Sequence, residues 1–208
     1  MVRFFVTAEE LQQEAPILTG ENAQHAKVLR LKAGEQVLLC DGEGQEALCA
    51  VADFGKDYCN VEILERRAAT AEAAVRVSVY MAFPKSDKLE HVIQKATELG
   101  AYEIVTFPSA RCISKPDEKS LKKKLERWQK IAVSAAEQSG RGRIPQVIVL
   151  DSFAHALSRA SEADKALMFY EHEESTTLHM ALKEGAFSTV SLLTGPEGGL
   201  EEKEVEQA

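Results

Sequence analysis

Alternating apolar and polar positions mark the first 70 residues of the chain as short strands joined by turns. The strands are predicted at residues 2–6, 37–40, 46–52 and 58–64. Dipeptides such as Asp41-Gly42 and Gly55-Lys56 favour turns between them, and one short helix is predicted near residues 22–31. The pattern predicts a small β-rich domain over residues 1–70, a barrel whose edges close on themselves.

Strands and helices alternate in the rest of the chain, after an Ala/Glu-rich linker at residues 66–74. Strands are predicted at residues 75–83, 104–107, 146–150, 166–170 and 190–194, and helices at 89–99, 121–135, 153–160 and 177–183. Gly100 and Gly140 follow two of the helices, and Asp87 with Glu90 resembles a capping box before the first. Residues 71–208 therefore form an α/β domain, with a parallel sheet that carries helices on both faces.

The Gly-Pro-Glu-Gly-Gly segment at residues 195–199 lies between the last strand and a Glu-rich helical segment. Ligands bind beyond the carboxyl ends of the strands in such sheets, and a glycine loop lets the backbone approach a ligand closely. A tight surface turn explains the same residues equally well, so both explanations stay open from this loop alone.

Charge is distributed unevenly, and this points to one basic segment. The net charge of the chain is −8, yet residues 85–143 carry a net charge of +5, and residues 144–208 a net charge of −8. An anionic polymer should contact the middle segment. For any single lysine of this segment, a solvated helix face is the simpler explanation.

The helix before Gly140 ends in a polar cluster of Glu137, Gln138, Arg141 and Arg143. Residues four positions apart lie on one helix face, so Glu137 and Arg141 are candidates to contact a base or a phosphate. The alternative is that the cations only complement the dipole at the helix end.

Several other kinds of chemistry have no support in the sequence. Cys40, Cys49, Cys59 and Cys112 show no zinc spacing and favour free thiols in a reducing cytoplasm, and the five histidines suggest no metal site. A serine-nucleophile elbow and a nucleotide-triphosphate phosphate loop are both absent. No apolar run is long enough to span a membrane.

Taken together, the motifs resemble a known family. Lys-Ser-Asp-Lys-Leu-Glu, Ile-Gln-Lys-Ala-Thr-Glu-Leu-Gly, Arg-Trp-Gln-Lys-Ile-Ala, Ala-Ala-Glu-Gln-Ser-Gly-Arg and Gly-Pro-Glu-Gly-Gly occur in this order, with Arg-Phe-Phe and His25 before Val-Leu-Arg-Leu-Lys near the start. The chain resembles, along nearly its whole length, the bacterial 16S ribosomal RNA uridine N3-methyltransferases of the SPOUT class.

The resemblance implies an N-terminal PUA-like β-barrel that helps to bind RNA and a C-terminal α/β domain with a trefoil knot. Such enzymes are homodimers that transfer a methyl group from S-adenosylmethionine to N3 of a uridine in the small ribosomal subunit. By this resemblance the cofactor site comprises Tyr170, Glu171, Leu193, Thr194, Gly195, Pro196, Glu197, Gly198 and Gly199.

The resemblance also suggests roles for the polar cluster and the basic residues. Uracil N3 must lose its proton before it can attack, so Arg141 is a candidate to stabilise the anion, Glu137 a candidate base, and Gln138 a candidate contact with the uridine. The candidate RNA contacts are Arg3, Arg30, Lys32, Lys85, Lys88 and Arg111.

The family pattern continues past the position of Ala208, with a segment resembling Leu-Gly-x-Arg-Ile-Leu-Arg-Thr-Glu-Thr-Ala that completes the knot and the cofactor pocket. A chain that ends at Ala208 is expected to have an incomplete knot and weak or no cofactor binding. Two other functions remain open at this point. One is a non-catalytic RNA-binding or ribosome-assembly protein, and the other is a small-molecule α/β enzyme that uses the glycine loop.

Overall fold

The computed structural model describes residues 1–113, 116–183 and 185–208, which divide into two compact units. The first unit contains Met1–Glu72 and Ala136–Ile144, and the second contains Ala73–Ala135 and Pro145–Ala208. The segment at 136–144, which the helical pattern assigns to the second domain, therefore packs with the first unit.

The first unit is built on a mixed five-stranded sheet. Its elements are β1 (Val2–Phe5), α1 (Ala8–Gln12), β2 (Ile17–Thr19), α2 (Gly20–Val28), β3 (Gln36–Cys40), β4 (Gln45–Phe54) and β5 (Tyr58–Ala68). The strand order is β1-β3-β4-β5-β2, with β1 parallel to β3 and the other pairs antiparallel. The four predicted strands are confirmed. The short strands β1 and β2 form the two edges and do not pair with each other, so the sheet is a half-barrel. The predicted closure of its edges is not observed.

Residues on one face of this sheet form the core of the first unit, because successive side chains of a strand point to opposite faces. Phe4, Leu39, Cys49 and Val61 are buried there. Burial raises the pKa of the Cys49 thiol to about 11, as is typical of a structural cysteine that remains protonated.

The second unit is built on a five-stranded parallel sheet. Its elements are β6 (Arg76–Ala82), α3 (Lys88–Glu98), β7 (Glu103–Phe107), α4 (Glu118–Ser139, whose last residues belong to the first unit), β8 (Gln146–Val149), α5 (Phe153–Ala160), β9 (Lys165–Phe169), α6 (Leu178–Lys183), β10 (Thr189–Thr194) and α7 (Glu202–Val205). The order is β8-β7-β6-β10-β9, and every pair is parallel. The prediction of a parallel α/β sheet is confirmed, and the last strand of the chain lies in the interior of the sheet.

Two helices end at the glycines that the sequence predicted, but the predicted N-terminal cap of α3 is not formed. Gly100 and Gly140 have φ angles of 101° and 74°, the left-handed conformation that favours glycine after a helix. The capping box predicted at Asp87 and Glu90 is wrong, because the Asp87 side chain makes no cap hydrogen bond and Glu90 pairs with an arginine.

The carboxylate of Asp164 joins the starts of β9 and β10. Its Oδ2 atom accepts hydrogen bonds from the amide and the hydroxyl of Ser188, both at 2.8 Å, and from the amide of Thr189 at 2.9 Å. These donors favour the charged carboxylate and lower the pKa of Asp164 from 3.8 to about 2.

Asp164→Asn is expected to lower the Tm at neutral pH and to lose this effect in acid. Because the pKa of Asp164 is lower in the folded state, its carboxylate stabilises the fold above pH 3.8, and this contribution is lost as the pH falls to about 2. Thermal melts of the wild type and the variant should therefore converge between about pH 4 and about pH 2. Asp57→Asn, at an exposed turn, is the control, and a Tm difference that persists unchanged in acid would contradict the explanation.

Candidate active site

The carboxyl ends of four neighbouring strands place four loops at one edge of the parallel sheet. The loops follow β6 at residues 83–87, β7 at 108–113, β9 at 170–177 and β10 at 195–201. Open α/β sheets bind ligands at this edge, and the ligand site predicted from the sequence would lie here.

Two glycines, Gly195 and Gly199, let the loop after β10 fold tightly against its own backbone. A Cβ atom on Gly195 would lie 2.8 Å from the carbonyl carbon of Gly199 and 3.0 Å from its oxygen. Gly199 has a φ of 70°, and a Cβ atom there would lie 2.0 Å from Oε1 of Glu171. The amide of Gly199 donates to the carbonyl of Pro196 at 2.9 Å. The structure therefore brings Glu171 against the glycine loop. The backbone of Gly199 leaves no room for a Cβ at Gly195, and the positive φ of Gly199 favours glycine at that position.

Glu197 ties this loop to the loop after β6. Its carboxylate accepts from the amide of Lys85 at 3.0 and 3.2 Å and forms an ion pair with Nζ of Lys88 at 3.0 Å. A hydrogen bond from its own amide and the interaction with Lys88 lower the pKa of Glu197. Glu197 is therefore a charged side chain with fixed partners rather than a free surface carboxylate.

The loop after β7 is held by Arg111 and by a buried carboxylate. The Arg111 guanidinium donates to the carbonyl of Gly198 at 2.8 Å. Glu204 is only 8% exposed, and it accepts from the amides of Ala110 at 2.8 Å and Glu201 at 3.0 Å. Glu204 was not among the residues predicted from the sequence, although the Glu-x-x-Glu spacing of 201 and 204 is that of the capping box seen here.

The remaining predicted cofactor residues lie beside the same loop. Leu193 and Pro196 are buried, and Leu193 lines a depression of about 400 Å³ between α5, β9 and β10. Tyr170 follows β9, packs edge-on against His172 with ring centroids 5.3 Å apart, and lines a second depression of about 260 Å³. The two depressions have mixed polar and apolar linings, which suits a small ligand that carries polar groups.

The predicted catalytic residues belong to the first unit. Glu137 is half-buried and Gln138 is exposed, while Arg141 is only 3% exposed. Burial raises the pKa of Glu137; His25 opposes this shift and Glu21 adds to it. A carboxyl group with a raised pKa is better suited to accept a proton near neutral pH.

Glu72, which was not predicted from the sequence as a site residue, fixes Arg141. Nη2 of Arg141 donates to Oε2 of Glu72 at 2.5 Å, and Oε1 of Glu72 accepts from the amides of Gly142 at 2.9 Å and Arg143 at 3.0 Å. One carboxylate therefore orients the whole segment after α4. Its position in an Ala/Glu-rich linker gave no indication of this role.

The six predicted RNA contacts differ in exposure. Arg30, Lys32, Lys85, Lys88 and Arg111 are exposed. The side chain of Arg3 is 10% exposed and forms an ion pair with the buried Glu46 at 3.0 Å. Arg30 also has a φ of 56°, a conformation that costs a non-glycine residue about 1 kcal/mol or more.

The described residues lack two other kinds of feature. Among them, no group of three or more His, Cys, Asp or Glu side chains is arranged to hold a metal ion. Within the same part of the chain, no helix is both long enough and apolar enough to cross a membrane.

Comparison with known proteins places the chain among RNA-modifying enzymes. Family models described as an RNA methyltransferase domain and an RNA methyltransferase PUA domain match residues 71–208 and 18–64, respectively. The ribosomal RNA small subunit methyltransferase E of Bacillus subtilis is 38% identical over 218 residues, which cover all of this chain and 84% of that protein.

Two solved structures are similar over almost the whole chain. One is a ribosomal RNA small subunit methyltransferase E of Neisseria gonorrhoeae bound to S-adenosylmethionine, with 28% identity, a TM-score of 0.80 and coverage of 100% of this chain and 85% of that one. The other is a methyltransferase of Legionella pneumophila in complex with the same cofactor, with 27% identity, a TM-score of 0.82 and coverage of 99% and 84%.

Proposed function

Because the chain belongs to the RNA methyltransferase family, we propose that it transfers the methyl group of S-adenosylmethionine to N3 of a uridine in 16S ribosomal RNA. The observation that carries this proposal is the glycine loop at the carboxyl edge of the sheet, in a fold shared with relatives that bind this cofactor. We further propose that residues 1–70 form an RNA-binding PUA-like domain, that residues 71–208 form the methyltransferase domain, and that the protein acts in the cytoplasm.

The glycine loop fits the cofactor, because glycine at 195 and 199 lets the loop fold tightly against its own backbone and against Glu171, at the carboxyl edge of the sheet where such folds bind ligands. S-adenosylmethionine supplies a methyl group already activated on a sulfonium. The residues proposed to hold the cofactor are Tyr170, Glu171, Leu193, Thr194, Gly195, Pro196, Glu197, Gly198 and Gly199. Among them, Glu197 fixes the position of the loop through Lys85 and Lys88.

The chain's own residues must prepare the uridine, since its N3 atom carries a proton and becomes a nucleophile when that proton is lost. Glu137 is proposed to accept it, and the raised pKa that burial gives this carboxyl supports the role. Arg141 is proposed to stabilise the developing anion, with Glu72 holding its guanidinium in one orientation. Gln138 is exposed, which leaves its amide available to contact the base.

The candidate RNA contacts are proposed to position the RNA rather than to select its sequence. They are Arg3, Arg30, Lys32, Lys85, Lys88 and Arg111. The exposure of five of them supports this role. Arg3 is proposed to act indirectly, because its guanidinium pairs with Glu46 inside the first unit.

We also propose that β10 belongs to a SPOUT-type trefoil knot and that the protein is a homodimer. The interior position of β10, between β6 and β9, supports the first point. An apolar depression of about 360 Å³ between α3 and the sheet supports the homodimer; it is lined by Val77, Val92 and Leu99 among others. Leu99 is 87% exposed there.

Leu99→Glu is expected to weaken the dimer about tenfold, because burying an unpaired carboxylate in an apolar interface is unfavourable. Sedimentation velocity over a range of protein concentrations measures this change. Leu64→Glu, at an exposed leucine of the first unit, is the matched control. Equal dimer affinities for the two variants would contradict an interface at α3.

A methyl-transfer assay tests the proposed function directly. The purified protein is incubated with labelled S-adenosylmethionine and with either small-subunit or large-subunit ribosomal RNA, and modified nucleosides are identified by mass spectrometry. We expect 3-methyluridine in the small-subunit RNA alone. Tight RNA binding without transfer would favour a ribosome-assembly role, and methylation of another base atom would refute the N3 assignment.

A further inference from the structure

Helix α4 carries a row of cations that the proposed function does not use. Lys119, Lys123, Arg127 and Lys130 follow one another at intervals of four, four and three residues, so they lie along one face of the helix over about 17 Å. All four are exposed, and they lie opposite Trp128, which is buried with the neighbouring Ala132 and Ala135. We name these four residues the basic stripe.

The acidic groups around the basic stripe neutralise little of it. Arg127 pairs with Glu90 at 2.7 Å, and Asp117 caps the start of α4 through the amide of Ser120. Glu126 is exposed beside the stripe. Among the side chains that the structure describes, none provides a carboxylate within 4.0 Å of Lys119, Lys123 or Lys130.

The basic stripe is unfavourable for the isolated helix. Lys119 with Lys123, and Lys123 with Arg127, are like charges four residues apart, which repel each other. The dipole of α4 also disfavours cations in its first turns. A chain with a net charge of −8 has no need of these cations for solubility, so an external anion is the simplest reason for their arrangement.

We propose that the basic stripe binds the sugar–phosphate backbone of the ribosomal RNA substrate, away from the nucleotide that is modified. A row of regularly spaced cations matches a polymer with regularly spaced phosphates. A membrane surface fits less well, because the apolar side of α4 is buried in the core and cannot enter a bilayer. This inference rests on the proposed function, since it names a further contact with the same RNA.

The test compares two variants with the same net charge. Lys123→Gln with Lys130→Gln removes two cations of the basic stripe, and Lys183→Gln with Lys203→Gln removes two exposed lysines from α6 and α7. Affinity for small-subunit ribosomal RNA is measured at several salt concentrations, together with the Tm. We expect the stripe variant to lose affinity about tenfold and the slope of log K against log salt to fall by about 1.5. The control variant should change neither the RNA affinity nor the salt slope, and the Tm values of both variants should stay close to that of the wild type.

Equal RNA affinity and equal salt slope for the two variants would overturn the proposal. So would a stripe variant that binds naked RNA normally but loses affinity for the intact small subunit, because its partner would then be an acidic protein. Methyl transfer by the wild type is measured in parallel. RNA binding that depends on the stripe, without any transfer, would refute the proposed function alone, and normal transfer with no dependence on the stripe would refute this inference alone.

Discussion

Gly195→Ala is expected to weaken binding of S-adenosylmethionine by about 10- to 100-fold, because it opens the loop that follows β10. The added Cβ would lie 2.8 Å from the carbonyl carbon of Gly199, and backbone atoms cannot move aside as the end of a flexible side chain can. The loop must therefore shift at Gly195, at Gly199 or at both. Isothermal titration calorimetry of the purified variant measures the loss, and the Tm shows whether the fold survives.

Gly198→Ala is the matched control in the same loop. A Cβ there would meet Arg111 Cβ at 3.6 Å, which is ordinary van der Waals contact, and the φ of Gly198 is not in the left-handed region. This variant should keep the Tm of the wild type and most of its cofactor affinity. If both variants lost affinity equally with unchanged Tm values, crowding of the ligand itself, rather than distortion of the loop, would be the cause.

The positions of strands and helices could be predicted because they depend on local periodicity. The helix at residues 153–160 and the strand before Gly195 were predicted correctly for this reason. The three-residue strand β2 was not predicted, because it is too short to show alternation. Helix α1 was not predicted for the same reason, since it has only five residues.

Two similar capping patterns show where local sequence stops being sufficient. Thr7 and Glu10 form a true capping box, with the Thr7 hydroxyl accepting from the Glu10 amide at 3.1 Å and Glu10 Oε2 accepting from the Thr7 amide at 2.8 Å. Asp87 and Glu90 have the same spacing but form none: the backbone of Asp87 is not extended as that of Thr7 is, and Glu90 pairs with Arg127, which lies 37 residues further along the chain. The two pairs therefore differ both in the backbone conformation of their first residue and in the tertiary partner of their glutamate.

The candidate site was predictable to the extent that it follows from chain topology. Parallel strands bring their carboxyl ends to one edge, so the placement of the glycine loop beside Glu171 follows from the order of elements. The contacts of Glu204 with Ala110 and of Glu72 with Gly142 join residues 94 and 70 positions apart. Glutamates in helical or linker segments are usually solvated, so composition alone does not single these two out.

Glu72→Ala is expected to lower the free energy of unfolding by about 3 kcal/mol or more, the largest stability effect predicted for this chain. The Arg141 side chain is only 4% exposed and that of Glu72 is 19% exposed, so removal of the carboxylate takes the ion-pair partner Glu72 away from a buried guanidinium. The amides of Gly142 and Arg143 lose their acceptor at the same time. Urea denaturation of both proteins measures the difference.

Glu65→Ala is the control for an ion pair at the surface. Glu65 and Arg67 are 55% and 39% exposed and 3.8 Å apart, so this loss should be below about 1 kcal/mol.

The combination of Glu72→Ala with Arg141→Met should be less destabilising than the sum of the single changes, because it removes the buried charge together with its partner. Hydrogen exchange adds a local test, since the amides of Gly142 and Arg143 should lose protection in Glu72→Ala while the amides of β4 keep theirs. Additive losses with unchanged protection would mean that Glu72 does not fix this segment.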